Sequence, residues 1–139
     1  MKIIIIQNLT DMDNTYTFEL SISDNSYTSK KDINWSKVTY SNSSINLNLF
    51  ETLIRNGYNF CYSFQDSHIC QSQKTIKNWK NTSCVFVDID DVTTDLTTFT
   101  ANLSHFPTIS YTTYSNGKDN TYSYRLIYCF NEIINNVDV

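Results

Sequence analysis

Three acids close the apolar run "CVFVDIDDV": Asp88, Asp90 and Asp91. On a strand, residues two apart project to the same side, so Asp88 and Asp90 stand together while Ile89 turns to the core. Two carboxylates held side by side repel each other, and a cation between them removes that cost. Hard oxygen ligands suit Mg2+ or Mn2+. Such ions polarise phosphates and clamp the attacking and leaving oxygens in phosphoryl and nucleotidyl transfer. Asp88 and Asp90 are thus the candidate metal ligands and catalytic residues, and Asp91 reads as the start of a turn. The plain alternative is a strand end where acids finish the sheet in water. Position weighs on the side of function, because open α/β sheets place their sites at the C-terminal edge of their strands.

A second group of polar residues lies in "PTISYTTYSNGKDNTYSYRLIY". Thr112, Thr113, Ser115 and Asn116 offer hydroxyl and amide donors at a strand end, and Lys118 adds charge. Arg125 sits between Tyr124 and Leu126 on an otherwise apolar strand, where an unpaired charge is costly. A phosphate or one of the acids at 88–91 would satisfy it. Each of these features also has a purely structural reading, since hydroxyl-rich hairpins are common in β proteins. Lys74, Lys77 and Lys80 surround Trp79 in a stretch with no acid from Ser67 to Val87. They could meet nucleic-acid phosphates, or form a solvated loop. His68 and His105 have no neighbours that suggest a role.

The elements that must position these groups follow from periodicity. Lys2–Asn8 reads as a buried strand and Thr15–Ser23 as a second, with Asp11–Asn14 the turn between them. Ser26–Ser44 is polar and reads as loop with one short strand at Lys37–Tyr40. Asn46–Asn56 places Leu47, Phe50, Leu53 and Ile54 at helical spacing, and Gly57 follows where a helix ends. Tyr58–Phe64 is the next strand and Asp66–Asn81 a polar connection. Cys84–Ile89 is the strongest strand. Leu96–Ser104 can form a helix despite three threonines. Thr108–Tyr114 and Ser123–Phe130 are strands, with "SNGKDN" the turn between them. Helices between strands predict an α+β fold or a small two-layer sandwich.

The chain has 139 residues, 40% hydrophobic and 14% aromatic, which suits one domain with a real core. Two Gly, one Pro and seventeen Asn mean that Asn and Asp must make most turns. The net charge of −4 leaves a nucleic-acid partner to a local patch or to metal ions. The four cysteines show no CxxC spacing, so zinc is not expected, and the first residues "MKIIIIQN" are too short an apolar run for a signal or spanning segment. These features predict a cytosolic protein with reduced thiols.

Taken in order, "LFETLIRNGYNFCYSF", "KTIKNW", "CVFVDIDDV" and "PTISYTTYSNGKDNTYSYRLIYCFNEII" resemble the archaeo-eukaryotic primase superfamily, in the primase-polymerase versions of phages and plasmids. The resemblance covers Asn46–Ile134, the N-terminal part of the catalytic domain, with residues 1–45 as a variable leader. It implies an RRM-like mixed sheet with helices packed on it, here incomplete, in which Asp88-Ile89-Asp90 binds the catalytic Mg2+ or Mn2+. It also implies that Ser115, Asn116, Lys118 and Arg125 hold a nucleoside triphosphate. Lys74, Lys77 and Lys80 would follow a DNA template, with a helicase as a further partner, in a phage, plasmid or bacterial cytosol. Two departures stand out: Ser115 is followed by Asn116 where the family has Ser-x-His, and the family's third acid would lie beyond Val139. A fragment without that acid is expected to be inactive alone. Two other readings stay open. One is a degenerate, non-catalytic module that binds nucleic acid or protein. The other is a haloacid-dehalogenase-type phosphatase, whose nucleophile strand "VFVDIDDV" also resembles, although Val92 stands where that family has Thr and its later Lys is not found in place.

Overall fold

Asn46 opens the longer α-helix by capping it. In the computed structural model, which describes residues 3–6 and 16–135, its side chain accepts a hydrogen bond from the Leu49 amide at 2.9 Å. Helix α1 runs Leu47–Arg55, and the predicted spacing buries Phe50 and Ile54 completely. The chain leaves through Gly57, whose φ of 84° is left-handed. Its carbonyl accepts from the Tyr27 amide at 3.0 Å, and a Cβ there would run into the Tyr27 carbonyl oxygen. Only glycine meets both demands.

Two compact units make up the chain. One holds residues 16–84 and 130–135 (the α1 unit), the other residues 3–6 and 85–129 (the α2 unit). In the α1 unit, β2 (Phe18–Ser23), β3 (Thr39–Ile45), β4 (Phe60–Cys61) and β6 (His68–Cys70) form an antiparallel sheet in the order β4-β2-β3-β6. Residues 18–23 and 39–45, read in the sequence as part of a leader, supply its two central strands. Phe18, Leu20, Tyr40, Ile45 and Phe60 are buried, and the Phe60 ring lies 4.9 Å from that of Phe50.

Three sequence expectations change here. The stretch 26–44, read as loop with a short strand at Lys37–Tyr40, carries most of the longer β3, whose seven residues run Thr39–Ile45. Its polar Asn42 fits because the side-chain amide donates to the Phe64 carbonyl at 2.7 Å and accepts from the Phe64 amide at 3.2 Å. The predicted strand Tyr58–Phe64 breaks at Tyr62 into β4, which pairs with β2, and β5 (Ser63–Phe64), which pairs with β7. The predicted connection over 66–81 contains β6 and the start of β7 (Trp79–Val92), a strand eight residues longer than the "CVFVDI" core. Asn81, Thr82 and Ser83 are polar yet buried, and Ser83 Oγ accepts from the Glu19 amide at 3.1 Å.

In the α2 unit the second part of β7 joins β1 (Ile4–Ile6), α2 (Leu96–Ala101), β8 (Ile109–Thr112) and β9 (Tyr122–Ile134), with strand order β1-β8-β9-β7. Lys2, Gln7 and Asn8 of the first predicted strand, Thr15 of the second, and the turn at Asp11–Asn14 lie outside the described residues. β8 is antiparallel to both β1 and β9. Thr121 meets Asp91 while Arg125 meets Asp88, so β9 also runs against β7. Asp95 caps α2 by accepting from the Thr98 amide at 2.9 Å. Leu96, Phe99 and Leu103 then pack on Tyr124, Leu126 and Tyr128 from β9 and on Ile89 from β7. Gly117, Asp119 and Asn120 all take positive φ in the β8–β9 turn, so Asp and Asn do share the turn-making with Gly. The fold is mixed α+β and mostly antiparallel. Among the described residues no helix is long and apolar enough to cross a membrane.

Candidate functional site

Opposite α2, the sheet of the α2 unit gathers the charged residues. Alternation along β7 sends Ile89 toward the helix, and Asp88 and Asp90 away from it, both exposed. Arg125 on β9 grips Asp88 with two bonds, Nε to Oδ1 at 2.6 Å and Nη2 to Oδ2 at 3.1 Å. The guanidinium fork matches the two carboxylate oxygens. Of the partners expected for this arginine, the acid is the one present. Tyr111 lies directly across from Arg125 in the β8–β9 register and bonds to it through its hydroxyl. The Phe86 ring centroid lies 5.8 Å from the guanidinium carbon.

Burial works against the charge on Arg125, but Tyr111 and the Asp88 carboxylate outweigh it and hold the guanidinium above its ordinary pKa. Burial also pushes the Tyr111 hydroxyl up. The Asp88 side chain remains 53% exposed and that of Arg125 25%. Water therefore screens the pair, which contributes about 0–1 kcal/mol to stability. Asp91, read in the sequence as the start of a turn, instead lies within β7, which continues to Val92, although its φ of 55° is left-handed.

The β8–β9 turn holds Ser115, Asn116 and Lys118. Asn116 is occupied locally, its Oδ1 accepting from the Ser123 amide at 3.1 Å. The Ser115 carbonyl accepts from the Lys118 amide at 3.2 Å, and Lys118 itself is exposed. Among the described residues no hydrogen bond or ion pair joins these three to Asp88 or Asp90. The expectation drawn from open α/β sheets does not carry over, because the neighbours of β7 are antiparallel. Beyond Asn81, where β5 ends its pairing, β7 has β9 on one side and no described strand on the other.

Two carboxylates fit a hydrated Mg2+ or Mn2+, since Mg2+ keeps several waters and takes one or two carboxylates plus substrate phosphates. No group of three His, Cys, Asp or Glu side chains forms among the described residues. An ion on both acids would have to share Asp88 with Arg125 or take it over.

The lysines separate. Lys77 and Lys80 are exposed, whereas the Lys74 ammonium sits 3.8 Å from the centroid of the Tyr40 ring and borders a cleft of the α1 unit. All four cysteines are free. One further acid escaped the sequence reading. Asp24 accepts from Thr39 Oγ1, from Ser41 Oγ at 2.6 Å and pairs with His68 Nε2 at 2.6 Å. The Ser41 and Thr39 hydroxyls and His68 hold its carboxyl below its ordinary pKa against a small opposing effect of burial. Sequence offers no signal for it, because His68 lies 44 residues from Asp24. No family model matches the chain, and neither the curated proteins nor the solved structures include one similar to it.

Proposed function

We propose that this chain carries the metal-binding part of a primase-polymerase-type nucleotidyl-transfer module, acting on nucleoside triphosphates along a DNA template. One observation supports it above the others. β7, α2, β8 and β9 follow in that order with β9 between β7 and β8, an order that matches the first four elements of a β-α-β-β-α-β unit. The DxD motif lies on the strand that opens that unit, on the sheet face away from the helix.

In this reading Asp88 and Asp90 hold Mg2+ or Mn2+, which when bound supplies charge stabilisation for phosphates. Arg125 has a role of its own. Its fork fits a phosphate as well as a carboxylate, so a triphosphate oxygen can take the place of Asp88 on the guanidinium. Tyr111 and Phe86 keep the guanidinium in position during that exchange. Ser115 and Lys118 offer further donors from the turn, while Asn116 has only its amide hydrogens left to offer. A helicase partner and a phage, plasmid or bacterial cytosol belong to the same proposal, and free thiols suit a reducing compartment.

The Arg125–Asp88 pair also favours a second reading, a non-catalytic relative that binds nucleic acid or protein. There the arginine permanently neutralises one acid, and the sheet face serves as a contact surface. The phosphatase reading would want a lysine beside Asp88, and the cation there is Arg125.

Calorimetric titration of Mn2+ into this chain and into Asp88→Asn/Asp90→Asn separates the first two. Binding that the double substitution abolishes supports the metal site and leads to a primer-synthesis assay on a longer chain. No binding to either protein removes the catalytic reading and leaves the binding module.

A further inference from the structure

In the α1 unit, the connection from β4 through β7 borders a cleft of about 320 Å3. That is at the small end of the range of about 300–1,000 Å3 typical of ligand sites. Tyr62, Phe64 and Trp79 contribute three aromatic side chains to its lining, with Cys61, Lys74 and Ile76 beside them. Ile76 is 82% exposed, an unusual setting for a large aliphatic side chain. The Cys61 thiol is pushed up to about 11 by burial, so it is a neutral, unreactive part of the lining. Lys74 is steadied by the Tyr40 ring, Lys77 and Lys80 are exposed close by in the chain, and no acid occurs from Ser67 to Val87 although the whole chain carries −4.

An apolar, aromatic cleft bordered by Lys74, with Lys77 and Lys80 exposed nearby in the chain, suits a ligand with a planar ring and an attached anion. We infer that this cleft receives an unstacked base of a single-stranded nucleic acid, with Lys74, Lys77 and Lys80 meeting the flanking phosphates. Bases stack on aromatic side chains whatever their identity, because each has a π-face. The lining has few polar groups with which to read base edges, so binding is tolerant of sequence. The inference rests on the reading that the chain handles nucleic acid, but it needs neither Asp88 nor a metal ion. A free nucleotide has the same ring-and-phosphate chemistry, and the test distinguishes the two sources.

The chain has two tryptophans, and Trp35 is 40% exposed, so Trp35→Phe leaves Trp79 as the only tryptophan at little cost to the fold. In EDTA, this variant is titrated with a sixteen-nucleotide oligothymidylate and, separately, with thymidine monophosphate, and Trp79 fluorescence is followed. The expected result is saturable quenching by the oligonucleotide, with a log–log salt slope of about −2 for three lysines at about −0.7 each. Ile76→Ser and Lys77→Ala/Lys80→Ala change only exposed side chains, and each should weaken binding about tenfold. Equal quenching by the mononucleotide at similar concentration would replace the strand with a free nucleotide and overturn the single-strand assignment. No quenching by either ligand, or quenching that both variants leave unchanged, would overturn the cleft as a site. Because EDTA is present, neither outcome depends on the metal site, whose own failure would show only in the Mn2+ titration.

Discussion

Asp24 in the α1 unit and Asp88 in the α2 unit are both surface carboxylates held by side chains from other strands, but they are held differently. Asp24 takes hydrogen bonds from two hydroxyls of β3 and pairs with a histidine of β6, three groups fixed by sheet pairing. It ties strands together and has little left to offer a ligand. Asp88 is held by a single arginine, half in water, with Asp90 beside it on the same face. An arginine fork can exchange its carboxylate for a phosphate at little cost, which a set of short hydroxyl bonds cannot do. Partner chemistry, more than the presence of an acid, separates a structural clasp from a site that can open.

The largest expected effect sharpens that contrast. Asp88→Asn/Asp90→Asn should lower Mn2+ affinity at least tenfold, about 1.4 kcal/mol, with Asp24→Asn leaving it unchanged in the same calorimetric titration. Loss of Mn2+ binding in the Asp24 variant would break the comparison. Next, Asp24→Asn should reduce the unfolding free energy by roughly 1 kcal/mol, measured by urea denaturation. Its folded pKa is lowered, so the unfolded chain binds the extra proton and stability rises with pH through this region. The contribution is complete above the ordinary carboxylate value and is lost as pH falls through the lowered folded value. The variant should lack that acid-side slope, and an unchanged slope would assign it elsewhere.

Asn116→Ala removes the bond to the Ser123 amide and should cost about 1 kcal/mol of stability while leaving triphosphate affinity intact. A selective loss of affinity would move Asn116 from the structural side to the site. The smallest effect belongs to Arg125→Met. Freed of its cation, Asp88 should bind Mn2+ about threefold more tightly, a gain of roughly 0.6 kcal/mol. The change in stability should stay below about 1 kcal/mol. A weaker metal affinity in that variant would mean that Arg125 positions Asp88 instead of competing for it.

Legibility in the sequence followed the range of the interactions. α1 was readable because Asn46, Phe50, Ile54 and Gly57 each act within one or two turns of their own helix. The core of β7 and the strand carrying Arg125 were readable because apolar runs advertise burial, and the same-side placement of Asp88 and Asp90 follows from alternation alone. β3 was legible only at Thr39 and Tyr40, within the expected short strand, and its remainder was hidden by Ser and Asn residues whose partners come from distant strands, with Asn42 satisfied by the backbone of Phe64. The buried polar start of β7 was hidden for the same reason. Arg125 announced its need for a partner but could not say which. Tyr111 and Phe86 gave no sign that they would flank it, since their roles depend on cross-strand register. The cleft beside Lys74 is lined by residues on both sides of the break at Tyr62, which no local pattern signals.

One consequence of the three acids near the end of β7 concerns solubility instead of chemistry. An exposed strand edge is a template for another copy of itself, and proteins blunt such edges with charge and local distortion. Along Val85–Val92 that protection comes from Asp88, Asp90 and Asp91, the last with its left-handed backbone. Two copies approaching edge to edge would bring like charges together. Neutralising these acids, by substitution or by low pH, would weaken that repulsion, so the carboxylates that make this strand a candidate site also carry the charge that opposes edge-to-edge pairing.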